Sequence, residues 1–288
     1  MSDIELACHL GPWGHQNMIN AISDIEAANF RGIEMTSQIV EQYEDRVGVF
    51  IEILSQHKLQ LMSITAGGAL WPGMNLEEEV ERCLNIARFV KAAGAKHMAL
   101  YPPRPNPDQP MEDALDIMPA ATAYGEIARR TLEMEVFTCL HPECGTLVDN
   151  EKTIDQFIGM ADPEALKLCV DVGFLAEADI PIGAFLNEHK KRLGLVHLKD
   201  IKTKELKVRK DEGKAKKVVG KKHKEAAKPH GVELGKGNID LELFVDTLMK
   251  KEYSGWATIE FDTSTTRSLR EIAQSCHKYA EQHLDLVL

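Results

Sequence analysis

The chain has 288 residues, of which 44% are hydrophobic, and a formal charge of −11. No run approaches the roughly 20 apolar residues of a membrane helix, which argues against a membrane protein, and the apolar content argues against a disordered chain. The start, Met1-Ser2-Asp3-Ile4-Glu5, is acidic and lacks the basic region, apolar run and cleavage site of a signal peptide, so a cytoplasmic protein is expected. The six cysteines (Cys8, Cys83, Cys139, Cys144, Cys169, Cys276) show no C-x-x-C pairing and are read as free thiols. The charge is uneven. Residues 201–236 hold 13 of the 34 Lys and Arg and 5 of the 45 Asp and Glu, so that segment is +8 and the remainder −19. An acidic body disfavours nucleic acid as a partner.

In chain order the pattern is strand, then helix, repeated. Residues 5–9 are a short apolar run stopped by Gly11-Pro12, and 16–29 carry Met18, Ile19, Ile22, Ile25 and Ala28 at helical spacing. A second strand spans 32–35, and Ser37 is placed to cap a helix to about Gln56 with Ile39, Tyr43, Val47, Phe50 and Leu54 on one side. Strand three is 59–65. A helix over 76–93 stops at Gly94, strand four is 97–101, and a long helix covers 111–133. Strand five is 136–141, followed by a helix over 151–160. Strand six is 166–171, with a helix over 182–191. Strand seven is 193–198, and the basic stretch interrupts before a helix over 239–251. Strand eight is 257–261, and a helix over 266–284 ends the pattern. Eight such units without a clear linker predict one (β/α)₈ TIM barrel over 1–288, with 201–236 as a basic insertion loop after strand seven. An open doubly wound sheet is the competitor. It lacks an early G-x-G-x-x-G, and the only G-x-G, Gly235-Lys236-Gly237, comes late.

In such a barrel the chemistry sits where strands end. Alternation places His141 with Glu143, His197 with Lys199, and Trp256 with Glu260 and Asp262, each group on one face; strand six ends at Asp171, strand two contributes Glu34 and strand one His9. Any one of these residues could be a solvated strand end or an ion-pair partner. Four consecutive strands delivering imidazole or carboxylate (His141 or Glu143, Asp171, His197, Glu260) suit one divalent ion, Mn²⁺, Co²⁺, Mg²⁺ or Zn²⁺.

The stretches His141-Pro142-Glu143-Cys144-Gly145-Thr146, Cys169-Val170-Asp171-Val172-Gly173, His197-Leu198-Lys199-Asp200, Leu234-Gly235-Lys236-Gly237-Asn238-Ile239-Asp240 and Tyr253-Ser254-Gly255-Trp256 through Glu260 carry a family resemblance. Asn29 to Glu34 and Ala92-Ala93-Gly94-Ala95 support it. The sequence resembles the xylose isomerase-like (β/α)₈ superfamily of sugar isomerases and epimerases, which also holds inosose dehydratase and endonuclease IV. The resemblance implies one divalent metal held by Glu143, Asp171, His197 and Glu260, with His141 as the rival to Glu143 on strand five. It departs from the family where Phe174 stands in place of a frequent histidine. With Thr65 and Tyr101 ending strands three and four, a three-metal nuclease loses several ligands.

The chemistry implied is proton abstraction next to a carbonyl of a sugar or cyclitol through a metal-stabilised enediolate. Glu143 and Glu260 are the acid/base pair and Lys199 the oxyanion partner, while His9, Glu34, Trp13, Trp71 and His141 line the substrate pocket; for both tryptophans, packing under a loop is the alternative. An isomerase or epimerase is expected; the alternatives are a dehydratase (lyase) acting on an inosose and a non-catalytic sugar-binding barrel. For the basic stretch the readings are a solvated mobile loop, a segment that closes the site or binds an anionic substrate, or a contact between copies in a homo-oligomer. No interleaved aromatics favour nucleic acid.

Overall fold

Apolar runs of strand length, separated by helices with one apolar side, bury both strand faces only if helices cover the outside and side chains fill the inside. The computed structural model describes residues 4–67, 75–104, 117–202, 230–262 and 267–286. In order they form β1 (Ile4–His9), α1 (Met18–Ala27), β2 (Gly32–Thr36), α2 (Gln38–Tyr43), α3 (Val47–Gln56), β3 (Gln60–Gly67), α4 (Leu76–Ala92), β4 (His97–Tyr101) and α5 (Met118–Leu132). The second half adds β5 (Phe137–Leu140), α6 (Glu151–Ile158), β6 (Leu166–Asp171), α7 (Val172–Glu177), α8 (Ile182–Glu188), β7 (Leu193–Lys202), β8 (His230–Val232), α9 (Leu241–Lys250), β9 (Gly255–Glu260) and α10 (Leu269–His283). Strands β1 to β6 pair in parallel in sequence order. β6 then pairs with β7, β7 with β9 and β9 with β1, so eight parallel strands close into a barrel.

The lumen is layered. At its N-terminal end the Trp256 ring lies across Gly32, where a Cβ would fall 2.4 Å from the indole. Above it Ala7, Met62, Ala99, Cys139, Cys169 and Leu195 form a buried layer of mostly small side chains. The polar strand ends lie above that. Outside the strands, Phe50, Phe157, Phe185 and Phe244 are fully buried, each stabilising the fold by about 1.5–3 kcal/mol.

Three local expectations change. The single helix over 37–56 is broken at 44–46 into α2 and α3, and Ser37 makes no side-chain cap. Apolar steps of four from Ile39 to Val47 lag a 3.6-residue turn, so an unbroken helix would rotate its stripe off the sheet. The helix α7 appears directly after β6 because Asp171 accepts from Gly173 N and Phe174 N and caps it. The third change is β8, which pairs antiparallel with the end of β7 through Asp200–Val232 and Ile201–Gly231. The helix expected over 111–133 is seen from Met118; 105–116 lie outside the described residues.

This β7–β8 pair roots the basic insertion at the C-terminal end of the barrel, and 203–229, most of that stretch, lie outside the described residues. The late G-x-G is structural. The buried Asp200 carboxylate accepts from Gly235 N (2.9 Å), Gly237 N (2.8 Å) and Ile239 N (3.2 Å). Gly235 has φ +79°, and a Cβ on Gly237 would meet Asp200 Oδ1 at 2.0 Å. All six cysteines are free thiols, as expected.

Asp200→Ala would leave three backbone donors without their acceptor. It should lower unfolding stability by about 3 kcal/mol in urea titration; a change below about 1 kcal/mol would show that solvent satisfies them. His97, half-buried and stacked on Phe137 with ring centroids 5.6 Å apart, is lowered to about 4 by burial and by Lys96. Its neutral form is therefore preferred in the folded state, and stability falls as pH drops from about 6.5 towards 4. Relative to His97→Gln, wild type should lose roughly 1–3 kcal/mol of stability as pH falls through that window and keep the deficit below it.

Candidate functional site

The C-terminal ends of β5, β6, β7 and β9 converge because parallel register sets Asp171 opposite His197 and Lys199 opposite Glu260. His141 follows β5 directly, its amide donating to Leu100 O at 2.9 Å. Its ring packs against Tyr101 and His197, with centroids 4.4 and 4.8 Å away. His141 Nδ1 lies 3.2 Å from Pro142 O, a contact that places the ring proton on Nδ1 and leaves the Nε2 lone pair free to accept a hydrogen bond or bind an ion. That Nε2 lies 3.2 Å from His197 Nδ1 and 4.0 Å from Asp171 Oδ2. His197 Nδ1 lies 3.3 Å from Glu260 Oε2, and Lys199 Nζ donates to Glu260 Oε1 at 2.7 Å. His141, Asp171, His197 and Glu260 each offer one donor atom, all within 4.8 Å of one another.

The electrostatics follow from crowding these groups in a dry lumen. Burial pushes Asp171 up to about 6, against the pull of Lys199. Burial and His197 lower His141 to about 3, so it is neutral. Burial opposes charge on His197, but Cys169, Glu34 and Glu260 outweigh it and raise the ring well above its ordinary value. Burial likewise opposes charge on Glu260, and His197 and Lys199 hold it well below the usual carboxylate range.

Below this group sits Glu34, fully buried. Ser63 Oγ donates to its Oε1, and its Oε2 lies 3.0 Å from His197 Nε2, off the hydrogen-bond axis. Burial would raise Glu34, yet His197 outweighs it and the carboxyl sits at about 2. Sequence reasoning put Glu34 in the substrate pocket; the structure sets it behind His197 instead. His9 is 7% exposed, accepts from Gly11 N at 3.0 Å through Nδ1, and turns Nε2 towards Thr65 Oγ1 at 3.4 Å.

A cleft of about 190 Å³ opens over the group, lined among others by Tyr101, Arg104, Glu143, Lys199 and Asp262. Glu143 is not part of the four-donor group: it pairs with Arg104 at the mouth, and burial raises its carboxyl. Trp13 does not reach the cleft. Its indole donates to Asp24 at 2.9 Å, packs edge-on against Phe261, and faces a separate groove with Asn17 and Arg270. Trp71 lies outside the described residues. Cys144 borders the cleft, but burial and Glu177 push its thiol up to about 12, against a nucleophilic role. Sequence reasoning missed Arg104; its signal was a cation directly after Pro102-Pro103 at the end of β4. A larger depression of about 310 Å³ at the opposite end of the barrel, bordered by Lys167 and Trp256, holds none of the four donors.

Comparison with known proteins agrees with this architecture. The inosose dehydratase of Lactiplantibacillus plantarum is 28% identical over 164 residues, covering 56% of this chain and 51% of that protein, so the match spans about half of its length. The inosose dehydratase of Clostridium beijerinckii is 25% identical over 277 residues, covering 91% of this chain and 88% of the relative. Among solved structures, an IOLI protein with a bound zinc atom superimposes with a TM-score of 0.74 at 12% identity. The D-allulose 3-epimerase of Methylomonas sp. in complex with D-allulose gives 0.73 at 15%. Each of these two alignments covers 98% of both chains, and they show a shared fold. The model of the xylose isomerase-like TIM barrel family matches residues 22–281, and the chain belongs to that family.

Proposed function

We propose that this chain is a metal-assisted enzyme that removes a proton next to the carbonyl of a small sugar or cyclitol. The observation that carries this reading is the group His141, Asp171, His197 and Glu260 at the mouth of the barrel, its donor atoms within 4.8 Å of one another. Two imidazoles and two carboxylates suit one divalent ion of the hard or borderline class, such as Mn²⁺, Co²⁺, Mg²⁺ or Zn²⁺. Asp171 supports the fit, since a buried carboxylate raised to about 6 lacks enough positive charge around it. On this reading His141 takes the strand-five ligand position expected of Glu143. A bound ion would polarise the substrate carbonyl and stabilise the charge developing on its oxygen.

The remaining roles fall to the chain itself. Glu143 stands in the cleft outside the donor group and is raised by burial, so it is the carboxylate suited to carry the proton. Arg104 fixes its orientation. Lys199 neutralises Glu260 and borders the cleft where an oxyanion would form. Glu34 acts behind His197, orienting its ring and compensating its charge.

Two outcomes share this first step. Return of the proton elsewhere gives isomerisation or epimerisation; departure of a β-hydroxyl gives dehydration. The relatives named inosose dehydratase favour dehydration of a keto-cyclitol, and the fold shared with a D-allulose 3-epimerase keeps epimerisation as the second reading. Product mass decides between them when metal-loaded protein is incubated with an inosose and with ketohexoses. Loss of one water from the inosose supports the lyase, and an isomeric product from a ketose supports the isomerase. No turnover of either class with metal bound would leave only a sugar-binding barrel. Glu143→Gln should lower kcat about 10²–10⁴-fold with ion stoichiometry unchanged. Glu34→Gln should weaken ion affinity about 10–100-fold by calorimetry. Full activity in the first variant, or unchanged affinity in the second, would remove the assigned role.

A further inference from the structure

Directly beneath the four donors, the next inward residue of β6 is Cys169, two positions before Asp171 and therefore on the same face of the strand. Its side chain is fully buried in the layer of small residues that fills the lumen. His141, Cys169 and His197 form a second donor group whose ligand atoms also lie within 4.8 Å of one another, with all three residues buried. The same two imidazoles thus belong to two sets, one completed outward by the carboxylates of Asp171 and Glu260, the other inward by a thiol. Cys139, on the neighbouring strand in the same layer, is not part of either set.

We propose that the lumen contains an inner cation position made by His141, His197 and Cys169, which takes a borderline or soft divalent ion of the zinc and cadmium class. Thiolate ligation selects such ions over Mg²⁺ and Mn²⁺, which keep to oxygen donors. Two imidazoles and one thiolate are the ligand number of an open zinc site. Ligand atoms around tetrahedral zinc stand roughly 3.5 Å apart, so closing this group on an ion needs side-chain shifts of about an ångström. Binding breaks the Cys169 S–H bond and one N–H bond of the charged His197 ring; the freed sulfur and nitrogen lone pairs form the metal bonds, and both protons pass to the buffer; no electron is transferred. Because both positions need both histidines, one ion excludes the other. A soft ion held inward sits further from the cleft than one held by the carboxylates, so the position discriminates against such ions in the outer site. The inner position stands on its own three donors and does not depend on the reaction proposed for the cleft.

The test uses the full chain freed of metal and titrated with Co²⁺, with absorbance read in the near ultraviolet, where thiolate-to-cobalt charge transfer appears. Mn²⁺ binding is followed in parallel by electron paramagnetic resonance. Wild type, Cys139→Ser and Asp171→Asn should show the charge-transfer band, and Cys169→Ser and Cys169→Ala should lose it. Cd²⁺ affinity should fall about 10–100-fold in the two Cys169 variants while Mn²⁺ affinity is kept. The cadmium-113 resonance of the wild-type complex should shift downfield as one thiolate requires, a readout that needs no variant to fold. Mn²⁺ binding without a cobalt–thiolate band in wild type, or a band that survives loss of Cys169, overturns the inner position and leaves the outer one standing. A band without Mn²⁺ binding supports the inner position and overturns the outer.

Discussion

A charged imidazole at the centre of a closed barrel must be neutralised from within, because the surrounding strands exclude water. His197 is fully buried, with Glu34 Oε2 3.0 Å from one ring nitrogen and Glu260 Oε2 3.3 Å from the other. Much of the surrounding architecture serves this arrangement. Ser63 holds the far oxygen of Glu34, Lys199 holds the far oxygen of Glu260, and the 3.2 Å contact to Pro142 O presents the neutral nitrogen of His141 to His197. Removing either carboxylate would leave an uncompensated buried charge, a far larger penalty than loss of a surface ion pair.

The layer below explains how so many polar groups fit. A lumen filled to its mouth with large branched side chains would leave these groups no room. Here Ala7, Ala99, Cys139 and Cys169 make the middle layer of mostly small side chains, and Trp256 closes the floor. The C-terminal end is polar because strands pass from small apolar to ionisable residues over a single inward step. That same economy of volume sets a thiol against two histidines.

The order and type of the strands were legible in the sequence because short apolar runs that stop at a charged residue, each followed by a helical stripe, fit a buried parallel strand and little else. The face of each site residue was legible from period-two alternation, and His197, Asp171 and Glu260 meet as alternation implies. Height along the lumen was not legible. It depends on the stagger of the strands around the barrel, which no single strand encodes. Hence Glu34, paired in register with Ser63, sits behind the donor group, whereas Glu143, just past β5, reaches outward to Arg104. The sequence left His141 and Glu143 as rivals because they share a face, and only their heights separate them. Helix α7 was hidden because its cap, Asp171, is also a strand end, and Cys169 was hidden because a cysteine inside a strand reads as core. Trp13 was misplaced because its partner, Asp24, lies a helix away.

The Asp200 carboxylate and the β7–β8 ladder hold Lys202 and His230 side by side before the chain between them contributes anything. The entropy of bringing those ends together is therefore met by the barrel. Closing a connection twice as long costs only about 0.6 kcal/mol more when it is flexible. The stem thus uncouples the length of what it carries from the stability of what it stands on. Insertions and deletions between Lys202 and His230 are changes that descendants of this chain can explore without rebuilding the centre.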